Sequence, residues 1–194
     1  MRRIILAMTG ASGSIYAIRL LELLRAEPAI ETHLLISRSA GVTLRLECPE
    51  WSLDRVRELA DVYHKENDVA ASIGSGTYPV EGMVIVPASM KTVAAVAHGF
   101  GDNLISRSAD VTLKERRRLV VVPRETPFHL GHLRNLVALA EMGATVLPPI
   151  VAFYHQPKTV MDIVHHTVGR ILEQFSISHD LYAPWQGPTE PGNE

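Results

Sequence analysis

The chain has 194 residues, 46% of them hydrophobic and only 6% aromatic, which is enough for one sizeable aliphatic core and too little for two ordinary domains. Nineteen Lys and Arg against 21 Asp and Glu give a net charge of −2, which excludes a strongly basic nucleic-acid module, and no clustered basic stripe restores that reading. A lone cysteine, Cys48, excludes an intrachain disulfide and a cysteine-rich zinc site, and fits a reducing cytoplasm.

The first apolar run, Ile4–Met8, follows two arginines and is too short for the apolar core of a secretory leader. It reads as a buried strand that enters the small-residue loop Thr9-Gly10-Ala11-Ser12-Gly13 and then an amphipathic helix, Ser14–Arg25. A glycine-rich turn at a helix N-terminus offers backbone N–H groups and a positive dipole end to a phosphate or a flat ring. The spacing is neither G-x-G-x-x-G nor a P-loop, so a ligand-free strand-to-helix turn fits these residues equally well. Next come a strand at His33–Ile36, its exit at Ser37-Arg38, and a helix at Ala40–Glu47. The connection Cys48–Pro79 reads as two short helices and a Gly74-Ser75-Gly76 loop. Further strands are expected at Met83–Val86, Leu119–Val122 and Thr145–Leu147, with helices at Thr92–His98, Leu130–Met142 and Val160–Phe175.

Alternation of short continuous apolar strands with helical segments predicts a three-layer α/β fold, Rossmann-like or flavodoxin-like, with a parallel sheet covered by helices on both faces. Residues 1–183 are expected to form one domain and residues 184–194 a Pro/Gly-rich tail. No segment approaches the roughly 20 apolar residues of a membrane span. In such a sheet ligands bind outside the carboxyl ends of the strands. Four exits, Thr9–Ser14, Ser37-Arg38, Pro87–Thr92 and Pro123–Pro127, carry polar or charged residues and are expected to converge.

Pro87-Ala88-Ser89-Met90-Lys91-Thr92 suits a phosphate or a flavin edge, although Ser89 can equally serve as a plain helix cap. The phrase resembles the flavin-binding Pro-Ala-Ser-Ala-Asn-Thr loop of FMN-dependent cysteine decarboxylases. Those enzymes also carry Pro-x-Met-Asn-x-x-Met-Trp after the next strand, where this chain has Pro123-Arg124-Glu125-Thr126-Pro127. Four segments together resemble instead the UbiX-type flavin prenyltransferases: Thr9–Gly13, Arg107–Arg117, Pro123–Pro127 and Phe153-Tyr154-His155-Gln156-Pro157. The resemblance runs from about Arg3 to Trp185.

That resemblance implies transfer of a dimethylallyl group from dimethylallyl monophosphate to N5 and C6 of reduced FMN, for use by a UbiD-type decarboxylase. It implies FMN contacts at Gly10, Ala11, Ser12, Ser37, Ser89, Met90, Lys91, Thr92 and Arg124. It places the donor phosphate at Tyr154, Arg170 and Lys114, partly across a subunit boundary of a homo-oligomer, commonly a dodecamer. Glu125 is the acid–base candidate, Ser12 a proton relay, Arg107 an organiser of that network and Trp185 a closing ring for an allylic cation. The residues alone admit plainer roles. Arg170 can be a solvated helix position, Tyr154 a loop aromatic, and Lys114 part of an exposed basic run. Glu125 and Arg107 can sit in surface or interface ion pairs, and Trp185 can staple the tail.

Two rival functions share these features, an FMN-dependent decarboxylase of cysteine-like or aromatic acids and a flavin carrier without catalysis. No Asp-Asp pair occurs, and neither His129/His132 nor His165/His166 has a carboxylate or thiol at metal-ligand spacing. A metal-independent cytoplasmic enzyme is therefore expected.

Overall fold

In the computed structural model, which describes residues 1–187, the first strand β1 (Arg2–Met8) divides its side chains between two apolar layers. Ile4, Leu6 and Met8 enter one layer and Ile5 and Ala7 the other, and all five are buried. This two-sided burial is what a central parallel strand requires. Five more strands complete a parallel sheet: β2 (Ile30–Ile36), β3 (Val62–His64), β4 (Gly82–Ala88), β5 (Arg118–Pro123) and β6 (Thr145–Val146). Their spatial order is β3-β2-β1-β4-β5-β6.

The first layer is closed by helices α1 (Ser14–Arg25), α2 (Arg38–Glu47), α3 (Leu53–Arg57) and α7 (Val160–Gln174), through residues such as Leu20, Leu44, Val56 and Val168. The second is closed by α4 (Met90–Ala97), α5 (Leu104–Lys114) and α6 (Leu130–Glu141), through Val93, Ile105 and Leu139. The expected three-layer α/β architecture is the one observed. Among the described residues no helix is long and apolar enough to cross a membrane.

Two elements escape the sequence reading. β3 lies in the stretch read as helical, and its three half-buried residues at the sheet edge give no apolar run to detect. α5 lies under a segment whose charges, Arg107, Asp110 and Lys114, hide a buried stripe of Leu104, Ile105, Ser108, Ala109, Val111 and Thr112. Helix α4 starts at Met90 and α2 at Arg38, each two residues earlier than expected, because Ser89 and Ser37 are the caps. The expected tail over residues 184–194 falls mostly outside the described residues.

The strand order reverses direction between β1 and β4. From β1 the chain steps outward through β2 to β3, then returns to pair β4 on the other side of β1 and continues outward to β6. The loops leaving β1 and β4 therefore diverge, and the gap between them is the crevice in which open parallel sheets bind ligands.

Candidate functional site

At this switch point Thr9 ties the two diverging exits together. Its side chain is 2% exposed. Its Oγ1 donates to the Pro87 carbonyl at 2.7 Å and accepts from the Ser89 N–H at 2.7 Å. Around this lock, Thr9, Gly10, Ser37, Ser89, Lys91 and Thr92 line one crevice. Gly10 can only be glycine there, since a Cβ would stand 2.4 Å from that of Ser39. β3, the strand missing from the sequence reading, adds Glu66, which also lines the crevice. The Glu66 carboxylate accepts from the Arg38 N–H at 2.9 Å, and its carbonyl accepts from the Leu104 N–H at 2.8 Å. One residue thus pins the starts of both α2 and α5.

Several expected roles change at atomic detail. The N-terminus of α1 is not open to a phosphate, because the Glu47 carboxylate accepts from the N–H groups of Gly13 and Ser14 at 2.9 and 3.0 Å. Burial pushes the Glu47 carboxyl up. The neighbouring Ser12 hydroxyl and hydrogen bonds from the Ser14 and Gly13 N–H groups outweigh this and hold it below the usual carboxylate range. Ser12 therefore neighbours the carboxylate of Glu47. Ser37 and Ser89 act as helix caps, accepting from Ala40 and Thr92 N–H groups at 3.1 and 3.4 Å, while also lining the crevice. The Met90 side chain is buried in the second apolar layer, so a flavin contact from it is confined to backbone. Ala11 is 8% exposed and its N–H is spent on the Thr9 carbonyl at 2.9 Å.

The β5 exit stays outside the crevice lining. Arg124 is exposed and held through its N–H to the Ala88 carbonyl at 3.2 Å, while the Glu125 carboxylate accepts from the next residue's N–H at 3.1 Å. No ion pair joins Glu125 to an arginine among the described residues.

A second cavity, about 400 Å³, opens between α7, the loop before it and the C-terminal segment. Tyr154 and Trp185 meet there edge to face, with ring centroids 5.5 Å apart. Gly169 of α7 makes this docking possible, because a Cβ would stand 2.4 Å from the Tyr182 ring. Tyr182 reaches Glu173 at 2.5 Å, and Glu173 also takes the Arg170 guanidinium at 2.5 Å. Burial and the Glu173 carboxylate raise the Tyr182 hydroxyl well above its ordinary value, so Tyr182 stays a donor. Arg170 lies along a neighbouring groove with His166 and Ile150.

Lys114 and Arg107 do not join either cavity within one chain. Lys114 ends α5, a helix of 11 residues whose other end is at the crevice, so it lies roughly 15 Å away at the opposite edge of the sheet. It pairs there with Glu115 and borders a groove with Glu141. Arg107 holds the Gly74 carbonyl at 3.2 Å and Asp110 at 3.1 Å on the outer side of α5. Thr9, Glu47 and Glu66 are the residues that motif reading passes over. Glu47 sits 33 residues from its nearest partner, Ser14, and Glu66 follows an undetected strand, so only Thr9, at the head of the loop, leaves a local signal.

The crevice suits one edge of a flavin. Its walls are small, Gly10 brings backbone to the surface, and the first-turn N–H groups of Met90 and Lys91 have no acceptor within their helix. It measures about 50 Å³ and shares its Ser37 and Glu66 walls with a groove of about 620 Å³ along α2 and the β3 exit. Among the described residues no group of three His, Cys, Asp or Glu side chains is placed to hold a metal ion.

Residues 1–172 match the model of the family described as Flavoprotein. The chain is 52% identical over 189 residues to the flavin prenyltransferase UbiX of Salmonella typhimurium, a match covering 96% of this chain and 100% of the relative. Among solved structures, AnUbiX (PadA1) in complex with FMN and dimethylallyl pyrophosphate is 45% identical with a TM-score of 0.94, covering 97% of this chain and 99% of that one. A dodecameric FMN-dependent Ubix-like decarboxylase from Escherichia coli O157:H7 is 48% identical with a TM-score of 0.93, covering 95% and 100%.

Proposed function

The chain belongs to the Flavoprotein family and, within it, to the UbiX-type flavin prenyltransferases, and from that premise we propose how its residues divide the reaction between them. It is a prenyltransferase that joins the dimethylallyl group of dimethylallyl monophosphate to N5 and C6 of reduced FMN. The observation that carries the assignment of sites is the closure of the β1, β2, β3 and β4 exits on one switch-point crevice, walled by Gly10, Ser37, Ser89, Lys91 and Thr92.

In this reading FMN lies along that crevice, touching the Gly10–Ser12 backbone, Ser37 and the Ser89–Thr92 turn, with Arg124 at its open side. When bound, the reduced flavin supplies the nucleophilic ring atoms. Ionisation of an allylic phosphate demands fixed positive charge and hydrogen bonds on the leaving group, which Arg170 and Tyr154 provide from the second cavity and its rim. Trp185, edge to face with Tyr154, offers an aromatic surface to the developing cation. Ser12, beside Glu47, passes a proton at the flavin edge in this reading, and Glu125 is the second proton-handling group, on the neighbouring exit.

Assembly completes the site. Lys114 lies at the far end of α5 from the crevice and reaches a donor phosphate only from another copy. Exposed Leu130, Leu133 and Val137 of α6, with Ile150 and Phe153, supply apolar surface for such contacts. The enzyme is therefore a homo-oligomer, dodecameric like its relative, cytoplasmic, and a supplier of prenylated FMN to a UbiD-type decarboxylase.

Anaerobic mixing of the protein with reduced FMN and dimethylallyl monophosphate, followed by mass analysis of the flavin, tests the reading. A prenyl mass increment is expected. An unchanged flavin mass with folded, FMN-binding protein overturns it.

A further inference from the structure

Two imidazoles wall the aromatic cavity beside Tyr154. The ring centroids of His155 and His166 lie 4.3 Å apart, and the Tyr154 ring is 4.0 Å from that of His155. Nε2 of His155 is shut off from solvent with no hydrogen-bond partner among the described residues. Leaving such a nitrogen unpaired is unfavourable, and a partner brought by a ligand removes that cost. The His155 ring is packed between Tyr154, which is 57% exposed, and Tyr182, whose ring centroid is 5.3 Å away.

The charges around the pair decide what ligand it can take. From α7 it is faced by Asp162, Arg170 and Glu173, from the preceding loop by Tyr154 and Lys158, and from the C-terminal segment by His179 and Tyr182. Neither carboxylate is free. Asp162 accepts from the Lys158 and Thr159 N–H groups at 2.8 Å each, and Glu173 is taken by Arg170 and Tyr182. Among the described residues a proton added to the imidazoles is favoured only by Glu173, whose carboxylate is already shared, and Arg170, one turn beyond His166, opposes it. Burial, with His155 and Arg170 as neighbours, holds His166 below the ordinary imidazole range. A phosphate dianion reverses this balance.

We infer that His155 and His166 act as one proton-accepting unit for the allylic donor. The pair takes up a single proton from solvent as the donor's phosphate dianion binds, hydrogen-bonds it, and returns the proton when inorganic phosphate departs. This rests on the placement of the donor at Tyr154 and Arg170.

The test is the pH dependence of KM for dimethylallyl monophosphate in anaerobic turnover, with flavin content confirming that each variant is folded. In the wild type KM rises toward about tenfold per pH unit above the imidazole range, the limit for one linked proton. In His155→Gln the profile is expected to flatten, and His166→Gln should flatten it likewise. Calorimetry of donor binding in two buffers of different ionisation enthalpy should show uptake of about one proton by the wild type and almost none by either variant. A wild-type slope retained in both variants, or no proton uptake by the wild type, overturns the inference. Arg170→Ala separates the two levels of argument. Weaker donor binding at every pH with the slope kept supports both. An unchanged KM removes the donor-site placement itself.

Discussion

Replacing Thr9 by Val tests the lock at the switch point with almost no change of shape. Thr9 is 2% exposed, so the lost hydroxyl cannot be replaced by water without disturbing the core. The Pro87 carbonyl keeps a second donor, the Thr9 N–H at 3.2 Å, and so loses only one of two bonds. The Ser89 N–H has Thr9 Oγ1 as its acceptor at 2.7 Å and is orphaned. One lost bond at about 0.5–1.5 kcal/mol and one unsatisfied donor at about 1–3 kcal/mol together give about 3 kcal/mol. For a chain of this length that corresponds to a fall in Tm of roughly 6–12 °C. Thr9→Ser keeps both bonds and drops a methyl group, so its loss should stay near 1 kcal/mol. Because the orphaned N–H begins the Ser89–Thr92 turn, FMN affinity should fall in Thr9→Val and recover in Thr9→Ser. Urea unfolding at one fixed protein concentration, alongside a flavin titration, reads both effects. A Thr9→Val protein within about 0.5 kcal/mol of wild type, or a Thr9→Ser protein as damaged as Thr9→Val, refutes the reasoning.

Gly10→Ala should abolish FMN binding while leaving a folded protein of lower stability, because its Cβ must displace Ser39 from 2.4 Å; undiminished flavin absorbance on the purified variant would contradict this. Glu47→Gln should destabilise by about 1–2 kcal/mol at neutral pH, a figure discounted for the carboxylate's exposure. The Glu47 carboxyl is held below its unfolded value, so its contribution is present above about pH 4.3 and is lost as pH falls through the folded value. Denaturation curves of variant and wild type should therefore converge near about pH 3, and a gap independent of pH would rule the carboxylate out as its source. His33, 1% exposed, lies 2.9 Å from both Glu31 and His64, and burial holds it below the ordinary imidazole value against the opposing pull of Glu31. The unfolded chain thus binds the proton first, and stability should decline as pH drops below about 6.5. Imidazole NMR should find His33 neutral at pH 6.5, with the proton on Nε2 facing Glu31; a charged ring there would contradict the cause assigned.

The central strands were legible because Ile4–Met8, Met83–Val86 and Leu119–Val122 are buried on both faces and so read as unbroken apolar runs. The exits of β1, β2 and β4 followed from the same pattern, since a parallel sheet puts them all at one edge. β3 was not legible, because an edge strand of three half-buried residues has no apolar signature, and with it Glu66 was lost. Glu47 reads as an ordinary solvent-side helix residue, and only tertiary folding carries it to the Gly13 and Ser14 N–H groups. The family resemblance supplied Tyr154, Trp185 and Arg170, and the structure brings the first two into contact and sets Arg170 one groove away. Met90, Lys114 and Arg107 show the limit of such transfer. A matched residue name fixes neither where its side chain points nor which copy of the chain it serves.

That limit yields a last prediction. Leu130, Leu133 and Val137 stand at helical spacing along α6 and are 59%, 45% and 56% exposed. Since none of the three fills the core, Leu133→Glu with Val137→Glu should cost the isolated chain little, because exposed substitutions stay within about 0.5 kcal/mol each. If α6 is an assembly surface, buried charge there should break the oligomer, and sedimentation should show smaller species. If neighbouring copies complete the flavin site, FMN affinity should fall with the assembly and in the wild type should rise with protein concentration. Full FMN affinity in a dissociated double variant would mean that one chain builds the flavin site by itself. Assembly would then serve the donor side alone, where Lys114 of another copy acts.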